Sequence, residues 1–115
     1  MRRGARIAVS GTTASAPDGT VLHPGDTGAQ TRCALERALA AVAALGGRSG
    51  DVVRSRVLLV PGADWEAAAA AHALVLGDVE PANTLLFVAG LVGEGHLVEV
   101  ELDAELLPGS AGEPS

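Results

Sequence analysis

A chain of 115 residues is long enough for one domain with a thin hydrophobic core, and with aromatics at only 2% that core must consist of Ala, Val and Leu. The formal net charge is −6 and all 8 basic residues are arginine, so the chain lacks the clustered positive charge with which proteins bind nucleic acids. A single cysteine, Cys33, excludes an intramolecular disulfide, and no apolar run reaches the ~18 residues of a membrane span, so we expect a cytoplasmic protein without a nucleic-acid or membrane partner.

The first third of the chain predicts two short strands and a helix. Residues 5–10 alternate partly and predict a first strand, and an Ala-Pro-Asp-Gly turn then favours a short returning strand over 20–23. Thr27, followed three residues later by Gln30, fits a capping box. The apolar residues that follow recur with helical spacing, so we predict a helix from Thr27 to about Leu45, where two glycines end it.

The middle of the chain predicts a central strand and a second helix. Residues 52–60 are rich in β-branched side chains and are substantially apolar on both faces, which is typical of a strand with neighbours on both sides. Asp64 then caps a helix over 65–76, whose run of alanines has high helix propensity. We expect Trp65, His72 and Leu76 to share one side of this helix.

The stretch from Glu80 to Ala104 predicts a β-hairpin. It consists of a strand over 84–91, a glycine-containing turn and a second strand over 97–104. After Leu107 the sequence is small, polar and rich in Pro and Gly, so we predict a disordered C-terminal tail over residues 106–115 after a single domain that spans 4–105.

The element order β-β-α-β-α-β-β predicts an α+β domain with two helices on one face of a mixed sheet. The strand–helix–strand unit in the middle should cross over with right-handed geometry. Two helices cover only one face of a sheet, whereas the strand over 84–91 is apolar on both faces. Because exposed apolar area of this kind marks interfaces, the pattern alone predicts a homo-oligomer.

Five short stretches, taken in order, resemble those of one known family. They are residues 7–12, Gln30 with Thr31, residues 50–60, residues 81–84 and residues 98–104. The ordered set resembles the Rid family, also called YjgF/YER057c/UK114, and covers roughly Gly4 to Glu105.

The resemblance implies a chorismate-mutase-like (ferredoxin-like) fold and a homotrimer with small-molecule clefts between subunits. For the best-known branch it implies hydrolysis of reactive enamine and imine intermediates to 2-keto acids and ammonia, and we expect no cofactor and no metal. Older descriptions of the family speak of translation inhibition and endoribonuclease activity, but the acidic, lysine-free composition argues against these.

Part of the family's site corresponds to residues that this chain keeps. The glutamate that positions or activates water corresponds to Glu99, which we expect to be the catalytic residue if the protein is an enzyme. The Ser-Gly pair whose backbone faces the ligand corresponds to Ser10 and Gly11.

The rest of the site departs from the family pattern. The family's arginine, which holds a substrate carboxylate, corresponds here to Asn83, whose neutral amide cannot form a bidentate charged pair. The other expected ligand contacts are Thr84 and Leu85, and Leu85 stands where a cysteine is often found. The resemblance is therefore to a branch of the family that lacks the catalytic arginine.

These residues also have purely structural interpretations. Glu99 and Glu101 fit an outward polar face or partners for Arg54 and Arg56 on a neighbouring strand, and Asn83 fits a turn cap. Three histidines without metal-ligand spacing are expected to be surface or hydrogen-bonded residues: His23, His72 and His96.

Three functions remain open at this point. The first is a homotrimer that binds a small metabolite in an intersubunit cleft, with weak or altered hydrolytic activity supported by Glu99. The second is an enamine/imine deaminase in which Glu99 positions water and Arg54 or Arg56 replaces the missing arginine. The third is a non-catalytic scaffold trimer.

Overall fold

A five-stranded mixed sheet, covered on one face by two helices, forms the body of the chain. A computed structural model describes residues 1–107. The strands are β1 (Arg2–Arg3), β2 (Arg6–Thr12), β3 (Val52–Leu59), β4 (Ala82–Phe87) and β5 (Val98–Glu105), and the helices are α1 (Thr27–Ala44) and α2 (Trp65–Leu76). The predicted α+β class and the two helices on one face of a mixed sheet are confirmed.

The predicted C-terminal hairpin is wrong, because its two strands are not neighbours. The sheet order is β1-β2-β5-β3-β4, so β3 lies between β4 and β5. Val57 of β3 stands opposite Leu85 in a parallel pair and opposite Val100 in an antiparallel pair. The helix α2 is the crossover that a parallel pair requires, so it places β4 on the outer side of β3 and leaves β5 to fill the inner side.

The predicted returning strand over 20–23 is also wrong. Only an isolated bridge between Ser15 and Val21 forms there, and the strand that pairs with the start of β2 is β1, with Arg2 opposite Ile7. The side chain of Asp18 accepts hydrogen bonds from both the backbone N and the hydroxyl of Thr20, which favours a local turn over a ladder.

Both helices begin at an aspartate. Asp64 caps α2 as predicted and accepts a hydrogen bond from Ala67 N at 3.0 Å. The cap of α1 is Asp26 and not Thr27, so the predicted capping box is wrong. Gln30 is instead fully buried, because its side chain has backbone partners outside the helix.

The buried amide of Gln30 joins the start of α1 to the segment between β4 and β5. Its nitrogen Nε2 donates to the carbonyl oxygens of His23 and Gly95, each at 3.2 Å. Its oxygen Oε1 accepts from the backbone N of Leu97 at 2.9 Å. The bonds to Gly95 and Leu97 fix the chain just before β5 enters the sheet, and the bond to His23 ties it to the segment before α1.

The two faces of the sheet differ in chemistry. The face packed on the helices carries the core, including Val57, Leu59, Val98, Val100 and Leu102. The other face, called here the open face, carries Arg54, Arg56, Leu58, Glu99, Glu101 and Asp103. No helix covers it within the described part of the chain, so the predicted one-sided arrangement is confirmed.

Two of our packing predictions do not hold. Trp65, which we predict to share one side of α2 with His72 and Leu76, is 51% exposed, whereas Leu76 is fully buried. Leu106 was assigned to the tail but is buried, and its backbone N donates to Ala5 O at 2.7 Å. The rest of the predicted tail, from residue 108 onward, lies outside the described residues. Neither of the two helices in residues 1–107 is both long and apolar enough to cross a membrane.

Candidate functional site

The structure divides the six sequence-predicted site residues between two places. Strand register puts Asn83 opposite Ser55 and Leu85 opposite Val57, on the helix-covered side of β4. The other four belong to the open-face side of the sheet: Ser10, Gly11, Thr84 and Glu99. A single copy of the chain therefore brings Glu99 together with Ser10 and Gly11, but not with Asn83.

A β-bulge at Ser10 and Gly11 brings the backbone of Gly11 beside the carboxylate of Glu99. In the β2–β5 pair Val9 stands opposite Leu102 and Thr12 opposite Val100, so Ser10 and Gly11 share the space of one partner residue. A Cβ atom built on Gly11 would overlap the Glu99 carboxylate. The φ of Gly11 does not lie in the left-handed region, so what glycine provides here is room for the end of the Glu99 side chain, which an added Cβ would displace.

The Glu99 carboxylate is partly buried and has no hydrogen-bond or ion-pair partner among residues 1–107. The next two carboxylates on the same face of β5, those of Glu101 and Asp103, both have an ion-pair partner. Arg56 Nη1 lies 3.4 Å from Glu101 Oε1 and 3.5 Å from Asp103 Oδ2. Glu99 is thus the carboxylate of this row that remains available to accept a hydrogen bond from a ligand or from water.

A cavity of about 540 Å³ adjoins this site. Ser10, Arg56, Glu101 and Asp103 are among the residues that line it. The charged side chains that line it neutralise one another, because the carboxylates of Glu101 and Asp103 both contact Arg56. Arg54, which stands opposite Asp103 in the β3–β5 register, is exposed and has no ion-pair partner among the described residues.

Asn83 belongs to a polar cluster that the sequence analysis missed. Its side-chain nitrogen Nδ2 donates to Ser55 Oγ at 2.9 Å and to Ser55 O at 3.3 Å, and it lies 3.3 Å from His72 Nε2. Ser55 Oγ lies 2.7 Å from His72 Nε2. The interpretation of Asn83 as a turn cap is therefore wrong, because the side chain crosses from β4 to β3 and α2.

The sequence did contain a signal for this cluster. Ser55 is a fully buried polar residue on an otherwise apolar strand face, and His72 lies on the side of α2 that meets the sheet. Burial lowers the pKa of His72 below its ordinary value, so its imidazole is neutral at pH 7. The prediction that His72 is a hydrogen-bonded histidine is confirmed, whereas His96 keeps a buried Nδ1 with no partner among the described residues.

Among residues 1–107, no three His, Cys, Asp or Glu side chains lie together so that they could hold a metal ion. A groove of about 610 Å³ along α1, lined in part by His23, Cys33 and Arg37, lies on a separate surface.

Comparison with known proteins extends over nearly all of the described chain. Residues 1–106 match the family model described as Endoribonuclease L-PSP. An uncharacterised protein of Streptomyces coelicolor is 38% identical over 101 residues, which are 88% of this chain and 75% of that protein.

Solved structures share the fold. A member of the YjgF/YER057c/UK114 family from Mycobacterium tuberculosis has a TM-score of 0.79 at 34% identity, covering 91% of this chain and 82% of its own. A protein from Thermotoga maritima has a TM-score of 0.83 at 25% identity, covering 92% of this chain and 83% of its own. The similarity therefore includes both the helices and the sheet.

Proposed function

The chain belongs to the endoribonuclease L-PSP family, also called YjgF/YER057c/UK114, and on this premise we propose that it is a homotrimer that binds a small metabolite in a cleft between subunits. The observation that carries the proposal is the Glu99 carboxylate, which lies against the backbone of Gly11 without a partner among the described residues. Its oxygens still reach solvent and can accept hydrogen bonds, so they are available to a ligand or to a water molecule.

The division of the site between two faces supports a cleft shared by two copies. Glu99, Ser10 and Gly11 lie together near the open face, whereas Asn83 and Leu85 lie on the other side of β4. A ligand that touches both sets must therefore lie between one copy's β2–β5 region and another copy's β4. The β4 strand is at the sheet edge and its Phe87 is 49% exposed, which leaves this strand open to a partner.

A second candidate function is imine hydrolysis at the same site. In this reaction water adds to the C=N carbon while Glu99 accepts one of its protons and returns it to nitrogen, which gives a carbinolamine. The proton of the carbinolamine hydroxyl then moves to the amino nitrogen, and the C–N bond breaks to release ammonia and the keto acid. The available carboxylate of Glu99 favours this candidate. Of the two arginines considered as substitutes for the missing one, Arg54 fits better, since Arg56 would have to leave Glu101 and Asp103.

Release of ammonia from 2-iminopropanoate tests both candidates. The binding protein should show little turnover, and Asn83→Arg should create or raise turnover because a guanidinium can hold the substrate carboxylate in a bidentate pair. Turnover in the unmodified chain that is lost in Glu99→Gln but kept in Glu105→Gln, a control on the same strand, would instead favour the deaminase. If Glu99→Gln affects neither turnover nor metabolite binding, the site is wrongly placed.

A further inference from the structure

The orientation of the Asn83 amide determines which kind of ligand this position can contact. Its nitrogen is directed inward, because it donates to the carbonyl oxygen of Ser55 at 3.3 Å. If the amide were reversed, the oxygen Oδ1 would face that carbonyl oxygen, and two acceptors would repel each other. The backbone of β3 thus fixes which end of the amide points into the protein.

Ser55 and His72 strengthen this orientation through a consistent chain of hydrogen bonds. The Asn83 nitrogen also lies 3.3 Å from His72 Nε2, so the imidazole stands at the same end of the amide. The Ser55 hydroxyl accepts from the Asn83 nitrogen at 2.9 Å and lies 2.7 Å from His72 Nε2, so it contacts both side chains. Ser55 is fully buried on the central strand, so it holds the amide firmly.

The group that remains available on Asn83 is its oxygen. Asn83 is exposed on the edge strand β4, and Oδ1 has no hydrogen-bond partner among residues 1–107. A carbonyl oxygen accepts hydrogen bonds and cannot donate them. The net charge of −6 adds a field that favours cations over anions.

We propose that Ser55 and His72 are positioning residues that hold Asn83 with Oδ1 outward, so that this site selects ligands bearing an ammonium or another N–H donor and disfavours carboxylates. The inference rests on the proposed function, since it assumes that Asn83 lines the ligand cleft. It adds the chemical class of the ligand group at this position and the two residues that determine it.

The first test needs no variant. Proton NMR of the full chain at neutral pH should show nuclear Overhauser contacts from the side-chain NH2 of Asn83 to the ring of His72 and to the β protons of Ser55. The absence of these contacts would overturn the proposal, because the amide nitrogen would then not be held inward by the two residues.

The second test compares two probes of similar size, methylammonium chloride and sodium acetate, at equal ionic strength. Methylammonium should shift the side-chain amide signals of Asn83 in a saturable way, with an apparent affinity about tenfold above that of acetate, as expected for one charged hydrogen bond. Ser55→Ala should free the amide to rotate, which should bring the ratio of the methylammonium affinity to the acetate affinity towards one. Ser49→Ala, an exposed serine outside the cluster, is the matched control and should keep the preference.

Different results contradict the ligand preference at Asn83 and the proposed function at Glu99. Equal or better binding of acetate at Asn83, or no response of Asn83 to either probe, overturns the inference even when a metabolite binds at Glu99. An unchanged preference in Ser55→Ala, with the fold verified by circular dichroism, shows that Ser55 does not position the amide. Insensitivity of binding and turnover to Glu99→Gln contradicts the proposed function itself, whatever the response at Asn83.

Discussion

Gly11 is the residue on which the position of the Glu99 carboxylate depends most directly. We expect Gly11→Ala to push that carboxylate away from the bulge, because the added Cβ would occupy its place. Ligand binding or turnover should fall at least about tenfold, as when one strong hydrogen-bonding group is lost. Calorimetric titration of a bound metabolite, or ammonia release where turnover exists, measures the change.

Gly50 provides the matched control for this substitution. A Cβ atom on Gly50 would meet no heavy atom within 4 Å, so Gly50→Ala should leave binding unchanged. Equal effects of the two substitutions would contradict the role given to Gly11.

His72 makes the stability of the fold depend on pH in a predictable direction. Burial lowers the pKa of His72 from the ordinary value of 6.5, so the unfolded chain binds a proton at a higher pH than the folded chain. The free energy of unfolding should therefore decrease as the pH falls below 6.5 and level off below the folded pKa. Urea unfolding of the unmodified chain and of His72→Asn should differ in this slope.

His23→Asn is the control, since asparagine tolerates the left-handed backbone of His23 at φ 53°. It should retain the slope that His72 produces. A slope that persists in His72→Asn but disappears in His23→Asn would assign the effect to the wrong histidine.

The sequence predicted the individual site residues unevenly. Ser10, Gly11 and Glu99 followed from the family resemblance. They lie on the open-face side of the sheet, with Gly11 against Glu99, and their role as a site stays a prediction. The cluster of Ser55, His72 and Asn83 was missed because His72 and Asn83 lie 17 and 28 positions after Ser55 in the chain. Only the β3–β4 register and the packing of α2 bring them into contact, and neither can be read from local patterns.

At the level of elements, the strands and helices were easier to predict than their pairing. The bounds of α2 follow directly from capping. The interior position of β3, with a neighbouring strand on each side, follows from its apolar patterning on both faces. Alternation of Val98, Val100 and Leu102 identifies the buried face of β5, but it does not say which strands flank it. The hairpin prediction failed for this reason.

Gln30 is the residue that connects two elements most strongly. Gln30→Leu would leave the backbone N of Leu97 and the carbonyls of His23 and Gly95 without their partner. Each unsatisfied buried group costs about 1–3 kcal/mol, so we expect the free energy of unfolding to fall by at least about 2 kcal/mol. The urea midpoint measures this loss.

Glu36→Gln on the exposed side of the same helix is the control for Gln30→Leu. It removes only the ion pair with Arg32, which is 60% exposed, and should change stability by less than about 0.5 kcal/mol. A Gln30→Leu variant as stable as this control would show that the three bonds contribute little.

For the whole molecule, the proposed trimer predicts a mass of three times the 11.4 kDa of one chain in light scattering or sedimentation equilibrium. Leu86 stands opposite Leu58 on the open face and is 38% exposed in a single copy. Leu86→Glu should lower the mass, because burying an unpaired carboxylate in an interface is unfavourable.

Leu74→Glu is the matched control, since Leu74 is 70% exposed on α2, away from the sheet. It should leave the mass unchanged. A protein that has the mass of one chain at every concentration would contradict both the trimer and the shared cleft.

The central place of β5 also bears on how the chain folds during synthesis. β5 is the last described strand to be made, yet it joins β2 to β3, with Ile7 opposite Ala104 across nearly the full length of the chain. A nascent chain that stops before residue 98 contains the β3-α2-β4 unit and a detached N-terminal hairpin. Because pairing between residues so far apart in the chain forms late and slowly, β5 can join β2 to β3 only after residue 105 has left the ribosome.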